Sequence, residues 1–489
     1  MKDPSAVSDL RAIARKAMTD RGLEPDFPPD AIQQLRGIPG PARDTGDGIR
    51  DLRSLLWCSI DNDSSLDLDQ LTVAQQMPAG GVKVLVAIAD VDALVKAGSP
   101  IDRHAGTNTT SVYTAAQIFP MLPERLSTDL TSLGEGQDRL AIVVEMVVTR
   151  DGSVQESAVY RALVTNHAKL AYRSVAAWLD GTGPAPPRLA GVAGMEEQLR
   201  MQDQVAQAMR AERFKRGALD FETLEPEAIM EGDRVVDLRL EAKNRAKELI
   251  EDFMIASNGV SARFLEQHGL PTLQRIVRSP EQWDRIRAVA AGYSDSLPAT
   301  PDSQALGAFL TRRRQADPLR FPDLSLTIVK LMGPGEYVVQ APCGEPTGHF
   351  GLAVREYSQS TAPNRRYPDL ITQRLLKAAI AGNPQPYATP EMLALATHCT
   401  DQEDAAKKVE RHVRKSAAAQ FLTDRIGESF DAIVTGASEK GTWVRVPKPP
   451  VEGKLMVKHG KVAVGDQIRV RLTGLNVERG FIDFAPTGT

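Results

Sequence analysis

Four aspartates, Asp61, Asp63, Asp67 and Asp69, fall within nine residues, and the surrounding run Ser59–Leu71 contains no Lys or Arg. Carboxylates this close repel and raise one another's pKa unless a cation neutralises them, and hard oxygen donors suit Mg2+, with Mn2+ as the alternative ion. Taken alone, the run fits a solvated acidic loop equally well. A calcium loop counted from Asp61 fails, because the sixth position is Leu66 rather than Gly and the twelfth is Thr72 rather than Glu. The remaining reading is phosphoryl transfer at metal ions held by carboxylates. Its context favours it: the apolar run Leu55–Ile60 leads into Asp61 and a second, Val82–Ala89, leads into Asp90, so two strand-like segments end on acids.

A second stretch, Glu356–Ile371, holds Ala362-Pro363-Asn364-Arg365-Arg366-Tyr367-Pro368-Asp369. Pro363 and Pro368 bracket a short stiff loop that can fix the direction of at least one guanidinium. A guanidinium matches phosphate oxygens bidentately and can balance charge on a phosphate undergoing displacement; a structural salt bridge is the equal alternative at this point. A third stretch, Thr109–Ser127, is rich in Thr, Ser and Pro. Within it Phe119 sits among apolar neighbours as a core residue would, whereas Tyr113 lies in a polar setting where its ring could stack on a base.

These three stretches, in this order, resemble the motifs of the ribonuclease II and ribonuclease R (RNB) family of 3'-to-5' exoribonucleases, and the likeness runs from about Ile49 to Ala381. Ile60-Asp61, five residues, then Asp67-Leu68-Asp69 is similar to the family's metal motif. The resemblance implies that Asp61, Asp67 and Asp69 hold the catalytic Mg2+, that Asp69 and Arg365 are the catalytic pair, and that Arg365 contacts the scissile phosphate. It implies that Tyr113 clamps the terminal nucleotide, that Tyr172 and Phe221 line the RNA path, and that Glu251 and Glu410 lie near the bound 3' end. The implied partner is single-stranded RNA, digested processively to nucleoside 5'-monophosphates by metal-dependent phosphodiester hydrolysis.

Two features depart from the family pattern. Its metal motif usually ends Asp-Leu-Asp-Asp, and this chain has Gln70 at the last position. The number of metals is therefore open, and the rival reading is a catalytically impaired RNB-like RNA-binding protein. Asp63, two residues from Asp61, is an additional acid that could compensate. The family also usually begins with two cold-shock OB domains, which the 45 residues at the front of this chain cannot contain, so RNA entry is expected to be arranged differently.

The elements that must position these motifs follow from periodicity. Leu10, Ile13, Ala14, Ala17 and Met18 repeat at helical spacing, a short helix is expected after Pro28-Pro29-Asp30, and Gly37–Gly48 reads as a linker. Leu140–Val148 is strand-like; Ala171–Leu179 and Gln198–Arg213 read as helices. A long amphipathic helix is expected over Ala242–Glu266, another opening at Pro368, and a third from about Gln402 to Arg425. Arg312-Arg313-Arg314 reads as a solvated helix face. From Gly427 onward five short strands separated by Gly and Pro, Phe430–Val434, Gly441–Val446, Gly453–Val457, Gln467–Leu472 and Gly480–Phe484, suggest an OB-type barrel, with Trp443 and Phe430 as either exposed stacking residues or core.

The expected fold is α+β: a small N-terminal helical unit (1–45), an RNB-type catalytic domain (46–425) and a C-terminal OB-fold RNA-binding barrel (426–489), consistent with the two to four domains that 489 residues allow. A net charge of −4 and a pI near 6.1 argue against indiscriminate coating of nucleic acid, though not against a charged channel. Three dispersed cysteines without zinc spacing, no apolar leader and no run approaching a membrane span lead to the expectation of a cytoplasmic monomer with no membrane partner.

Overall fold

The computed structural model describes residues 9–487 except 45, 47, 79, 241–242, 346, 439–440 and 457–461. Its centre is a seven-stranded sheet ordered, edge to edge, Ile49–Asp51, Val154–Thr165, Asp138–Val148, Val82–Ala89, Gln70–Gln76, Cys58–Asp61 and Ala168–Ala171. The two edge pairings are parallel and the inner ones antiparallel. Val82–Ala89 lies in the middle, and its unbroken apolar sequence follows from that: both of its faces are covered, so alternation is not required. Helices Met195–Lys215, Arg245–Gln267 and Tyr367–Ala381 pack around this sheet, and their apolar side chains merge with its own into one core that includes Trp57, Leu71, Ile88, Phe253 and Leu375.

The helix Arg245–Gln267 starts at the cap Asn244, whose side chain accepts from Lys247 N–H; Ala242, where periodicity would begin it, lies outside the described residues. The expected stripe is inward, with Leu249, Phe253 and Val260 buried and Ala256 and Phe264 packed against the core. The third long helix runs over Thr389–Phe421, opening more than three turns before Gln402. Thr389-Pro390-Glu391 carries the start signal, a Pro in the first turn and a Glu that reaches back to the Ala388 N–H.

The first helix, Leu10–Thr19, is capped by Asp9 and lies on this long helix, where Ala14, Ala17 and Met18 share a cluster with Val112, Phe119, Val409 and Val413. Helices Trp283–Gly292, Ser303–Ala316 and Phe321–Met332 form a further cluster around Phe309 and Phe321. The Arg312-Arg313-Arg314 run lies on a solvent-facing side of its helix and carries ion pairs there: Arg312 grips Asp295 through both ends of its fork, and Arg314 pairs with Asp220.

Five C-terminal strands close a barrel in the order Ser429–Ser438, Gly441–Val446, Val451–Leu455, Phe481–Pro486, Gln467–Asn476. Of the expected strand Gly453–Val457, Val457 lies outside the described residues. Phe430 is core, edge-on to Phe484, while Trp443 is buried in part on the strand that follows. Among the described residues no helix is long and apolar enough to cross a membrane, and Cys58, Cys343 and Cys399 are free thiols.

Candidate active site

Strand Cys58–Asp61 hands the chain to the acidic loop, which returns through strand Gln70–Gln76, so Asp61 and Asp69 stand at adjoining strand ends of the sheet. The loop between them is pinned from below. Ser132 Oγ accepts from Leu68 N–H and donates to the Leu66 carbonyl, and Leu133 N–H bonds the Leu68 carbonyl.

The arginine loop closes over it from the far side of the sequence. Asn364 N–H donates to Asp69 Oδ1 at 2.9 Å, and Arg365 Nε lies 3.5 Å from Asp69 Oδ2. The two arginines have parted. Arg366 is drawn inward onto Asp369 at 2.7 Å, and Arg365 keeps 42% of its side chain exposed beside the acids. The loop's own shape is fixed because Thr109–Ser111 zips onto it: Ser111 N–H and Thr110 Oγ bond the Arg365 carbonyl, and Tyr367 N–H bonds the Thr109 carbonyl. Below, Thr131 Oγ donates to Asn364 Oδ1 at 2.5 Å.

Tyr113 completes the group. Its hydroxyl donates to Asp67 Oδ2 at 3.2 Å, and its backbone N–H donates to Glu410 Oε1 at 2.9 Å, so the long helix holds the aromatic against the acids. The electrostatics carry an excess of negative charge. Burial pushes the Asp69 carboxyl up to about 7, against the pull of the Arg365 charge and the Asn364 N–H, while Asp67 and Asp369 push the same way as burial. Asp61 is raised too, by burial first and by Asp67, against Asn62 N–H, the Ser65 hydroxyl and Arg365. Burial and the charge of Asp67 hold the Tyr113 phenol above its ordinary range.

The donor chemistry fits a hard divalent cation, since Asp67 lies near enough to raise both Asp61 and Asp69 by its charge and the buried Asp69 lacks full compensation. Among the described residues no three acid, histidine or cysteine side chains already stand in a group able to hold a metal ion, so the carboxylates must turn to bind one. Gln70 opens its strand opposite Ile88 and is half-buried, and Asp63 is exposed on the loop. Asp90, the acid closing the second apolar run, is not part of the group: it is buried in an ion network with Lys377 at 2.8 Å and Arg161 at 3.5 Å.

The structure therefore brings together Asp61, Asp67, Asp69, Arg365, Tyr113 and Glu410 from four separate segments. Tyr172 lies one residue beyond Ala171, the register partner of Asp61, with the Lys247 ammonium 5.6 Å from its ring. Glu251 is exposed on the Arg245–Gln267 helix, next to Asp252, which is itself buried against Arg213. Phe221 packs against the helical cluster of Phe309 and Phe321. Periodicity and composition gave no sign of Asn364, Thr131 and Ser132 as supports; their burial beneath the acids is the signal, and it exists only in three dimensions.

Residues 49–382 match the family model described as the RNB domain, and residues 428–487 match that of the RNase II-type exonuclease C-terminal S1 domain. Ribonuclease R of Thermotoga maritima is 30% identical over 498 residues, which is 94% of this chain and 68% of that protein. Ribonuclease R of Escherichia coli is 31% identical over 497 residues, 94% of this chain and 60% of the relative, so the chain spans only part of these proteins' length. In fold, the chain is similar to Mycoplasma genitalium RNase R solved in complex with ribose methylated single-stranded RNA, with a TM-score of 0.87 at 21% identity, covering 98% of this chain and 78% of that one. The fold is also similar to yeast Ssd1, a pseudonuclease, with a TM-score of 0.74 at 16% identity, covering 95% and 57% of the two chains.

Proposed function

The chain belongs to the RNB-domain family, and on that premise we propose that it is a 3'-to-5' exoribonuclease that hydrolyses single-stranded RNA processively to nucleoside 5'-monophosphates. The observation that carries this reading is the meeting of Arg365 and Asp69, 3.5 Å apart, beneath a half-exposed tyrosine. A guanidinium held open beside a set of acids, with its fork free to take phosphate oxygens, is arranged for a phosphodiester and not for a stabilising salt bridge alone. Asp61, Asp67 and Asp69 would hold Mg2+, or Mn2+ in its place. When bound, such an ion supplies charge neutralisation for the phosphoryl oxygens and acidifies the attacking water.

The chain's own groups do the rest. Arg365 balances charge on the non-bridging oxygens as the bond breaks. Asn364 N–H fixes the orientation of the Asp69 carboxylate, which would be one of the ion's ligands. Tyr113 offers its ring to the base of the terminal nucleotide, and stacking of this kind tolerates any sequence. Glu410 sets the position of that ring through the backbone, while Glu251, Tyr172 and Phe221 line the RNA further from the reacting bond. The closed barrel adds a surface for the incoming strand. Free thiols accord with a reducing compartment, and we read the protein as a cytoplasmic monomer.

The rival reading, an RNA-binding protein without catalysis, rests on Gln70 standing where an acid is usual. The test is to incubate the protein with 5'-labelled single-stranded RNA and Mg2+, with the deoxy strand in parallel. Shortening from the 3' end with release of nucleoside 5'-monophosphates supports the enzyme. A stable complex with intact RNA supports the binder, and equal digestion of the deoxy strand contradicts RNA specificity.

A further inference from the structure

Val112–Tyr113 and Ile118–Phe119 form a two-stranded antiparallel ribbon in which Val112 faces Phe119 and Tyr113 faces Ile118. Alternation separates the pairs. Val112 and Phe119 are 0% and 3% exposed, packed with Val409 and Val413, whereas Tyr113 and Ile118 are 41% and 56% exposed on the opposite face. Directly opposed residues of an antiparallel pair have Cβ atoms about 5 Å apart, so the isoleucine and the tyrosine stand side by side on the outward face of the ribbon.

The ribbon is stiff. Thr114 Oγ donates to the Gln117 carbonyl at 2.6 Å and Gln117 N–H returns to Thr114 Oγ, closing the turn, while Glu410 anchors Tyr113 N–H. A β-branched side chain adds a restricted χ1 of its own. An apolar residue held outward on a rigid ribbon, rather than turned into the core with Phe119, forms a shelf ready to receive a flat apolar face. The opposite end of that shelf is the Tyr113 hydroxyl on Asp67, which fixes the occupant by continuity: it must reach the acids.

We propose that Ile118 is a binding residue, forming with Tyr113 one apolar shelf for the base of the 3'-terminal nucleotide. This rests on the exoribonuclease reading of the acids and Arg365. The shelf contributes through the base and leaves the chemistry at the phosphate untouched. Purines, with the larger face, gain more from it than pyrimidines.

The experiment compares wild type, Ile118→Ser and Ile118→Leu on two RNAs that differ only in whether the 3'-terminal residue carries its base or is abasic, reading the first cleavage. On the base-bearing end Ile118→Ser is expected to lower kcat/KM by about five- to tenfold, through KM with kcat nearly unchanged, and Ile118→Leu to restore it. On the abasic end all three proteins are expected to coincide within about twofold, because the contact they differ in has no partner. Equal activity of Ile118→Ser and wild type on the base-bearing end overturns the proposal, and so does an equal loss on both ends. If wild type cleaves neither RNA, the exonuclease reading fails instead, and the affinities of the same six combinations then decide the shelf by the same pattern.

Discussion

The backbone N–H of Asn364 donates a 2.9 Å hydrogen bond to Asp69 Oδ1, joining two segments 295 residues apart in the chain. Its consequence is geometric. The next residue, Arg365, is thereby set beside the other oxygen of the same carboxylate, so one turn of loop delivers a neutral donor and a charged one to a single buried acid. The arrangement orients Asp69 without neutralising it completely, which leaves the site short of positive charge.

Neighbouring arginines in this loop are expected to fail in different ways. Arg365→Ala should cost less stability than the neighbouring substitution, because 42% of the side chain is exposed and its approach to Asp69 is 3.5 Å, and should lower kcat by about 10²- to 10³-fold, the scale of losing one preorganised donor to a developing anion. Arg365→Lys should recover only part of it, since a point charge cannot span two oxygens. Arg366→Ala leaves Asp369 buried without its partner and should cost about 3–5 kcal/mol of stability. Denaturant titrations beside steady-state kinetics separate the two, and equal effects of both substitutions on both measurements contradict the assignment.

Binding of a divalent ion should be visible without RNA. A ligand that binds only the folded state raises its stability in proportion to the logarithm of its concentration, so saturating Mg2+ should raise the apparent unfolding temperature of wild type by about 1–3 °C. The double substitution Asp61→Asn with Asp67→Asn removes two of the three oxygen donors and should abolish the rise. A shift of the same size in the double variant would place the ion elsewhere.

His349 predicts an acid-sensitive element away from the site. Burial, with the charge of Arg275 adding to it, holds its imidazole down to about 4. A histidine whose folded value lies below its unfolded value of about 6.5 costs nothing above that pH and destabilises progressively as pH falls from about 6.5 toward 4, on the order of 3 kcal/mol in all. His349 caps the short helical turn Phe350–Leu352 by accepting from Leu352 N–H, a role an asparagine side chain can keep. The loss of stability between pH 7.5 and pH 5 should therefore be smaller in His349→Asn than in wild type; the same loss in both would contradict it.

Much of the site was legible in the sequence because its parts announce themselves locally. Apolar runs ending on acids mark the strand end that carries Asp61, and two prolines mark the stiff loop that carries Arg365. The division of labour between Arg365 and Arg366 was not legible: the side chains are identical, and Asp369, three residues on, decides which one turns inward. Asp90 has the same apolar approach as Asp61 and differs only in the cations that surround it, Lys377 and Arg161, both distant in sequence. The ribbon behind Tyr113 has strands of two residues, too short for a period of two to register. The start of the long helix was missed because His398, Cys399 and Thr400 are weak helix formers that mask a periodicity already under way. The roles of Tyr172, Phe221, Glu251 and Glu410 came from likeness alone; the structure ties Glu410 to the Tyr113 backbone N–H and sets Tyr172 one residue past the register partner of Asp61.

The most direct test of the account is Asp69→Asn, measured for both RNA binding and mononucleotide release in Mg2+. The substitution keeps the shape and the acceptor for Asn364 N–H while removing the charge. Affinity for single-stranded RNA should remain within a few-fold of wild type, and release of nucleoside 5'-monophosphates should fall by about 10³-fold or more. Release at the wild-type rate would contradict the claim that these aspartates and Arg365 meet around the scissile phosphate.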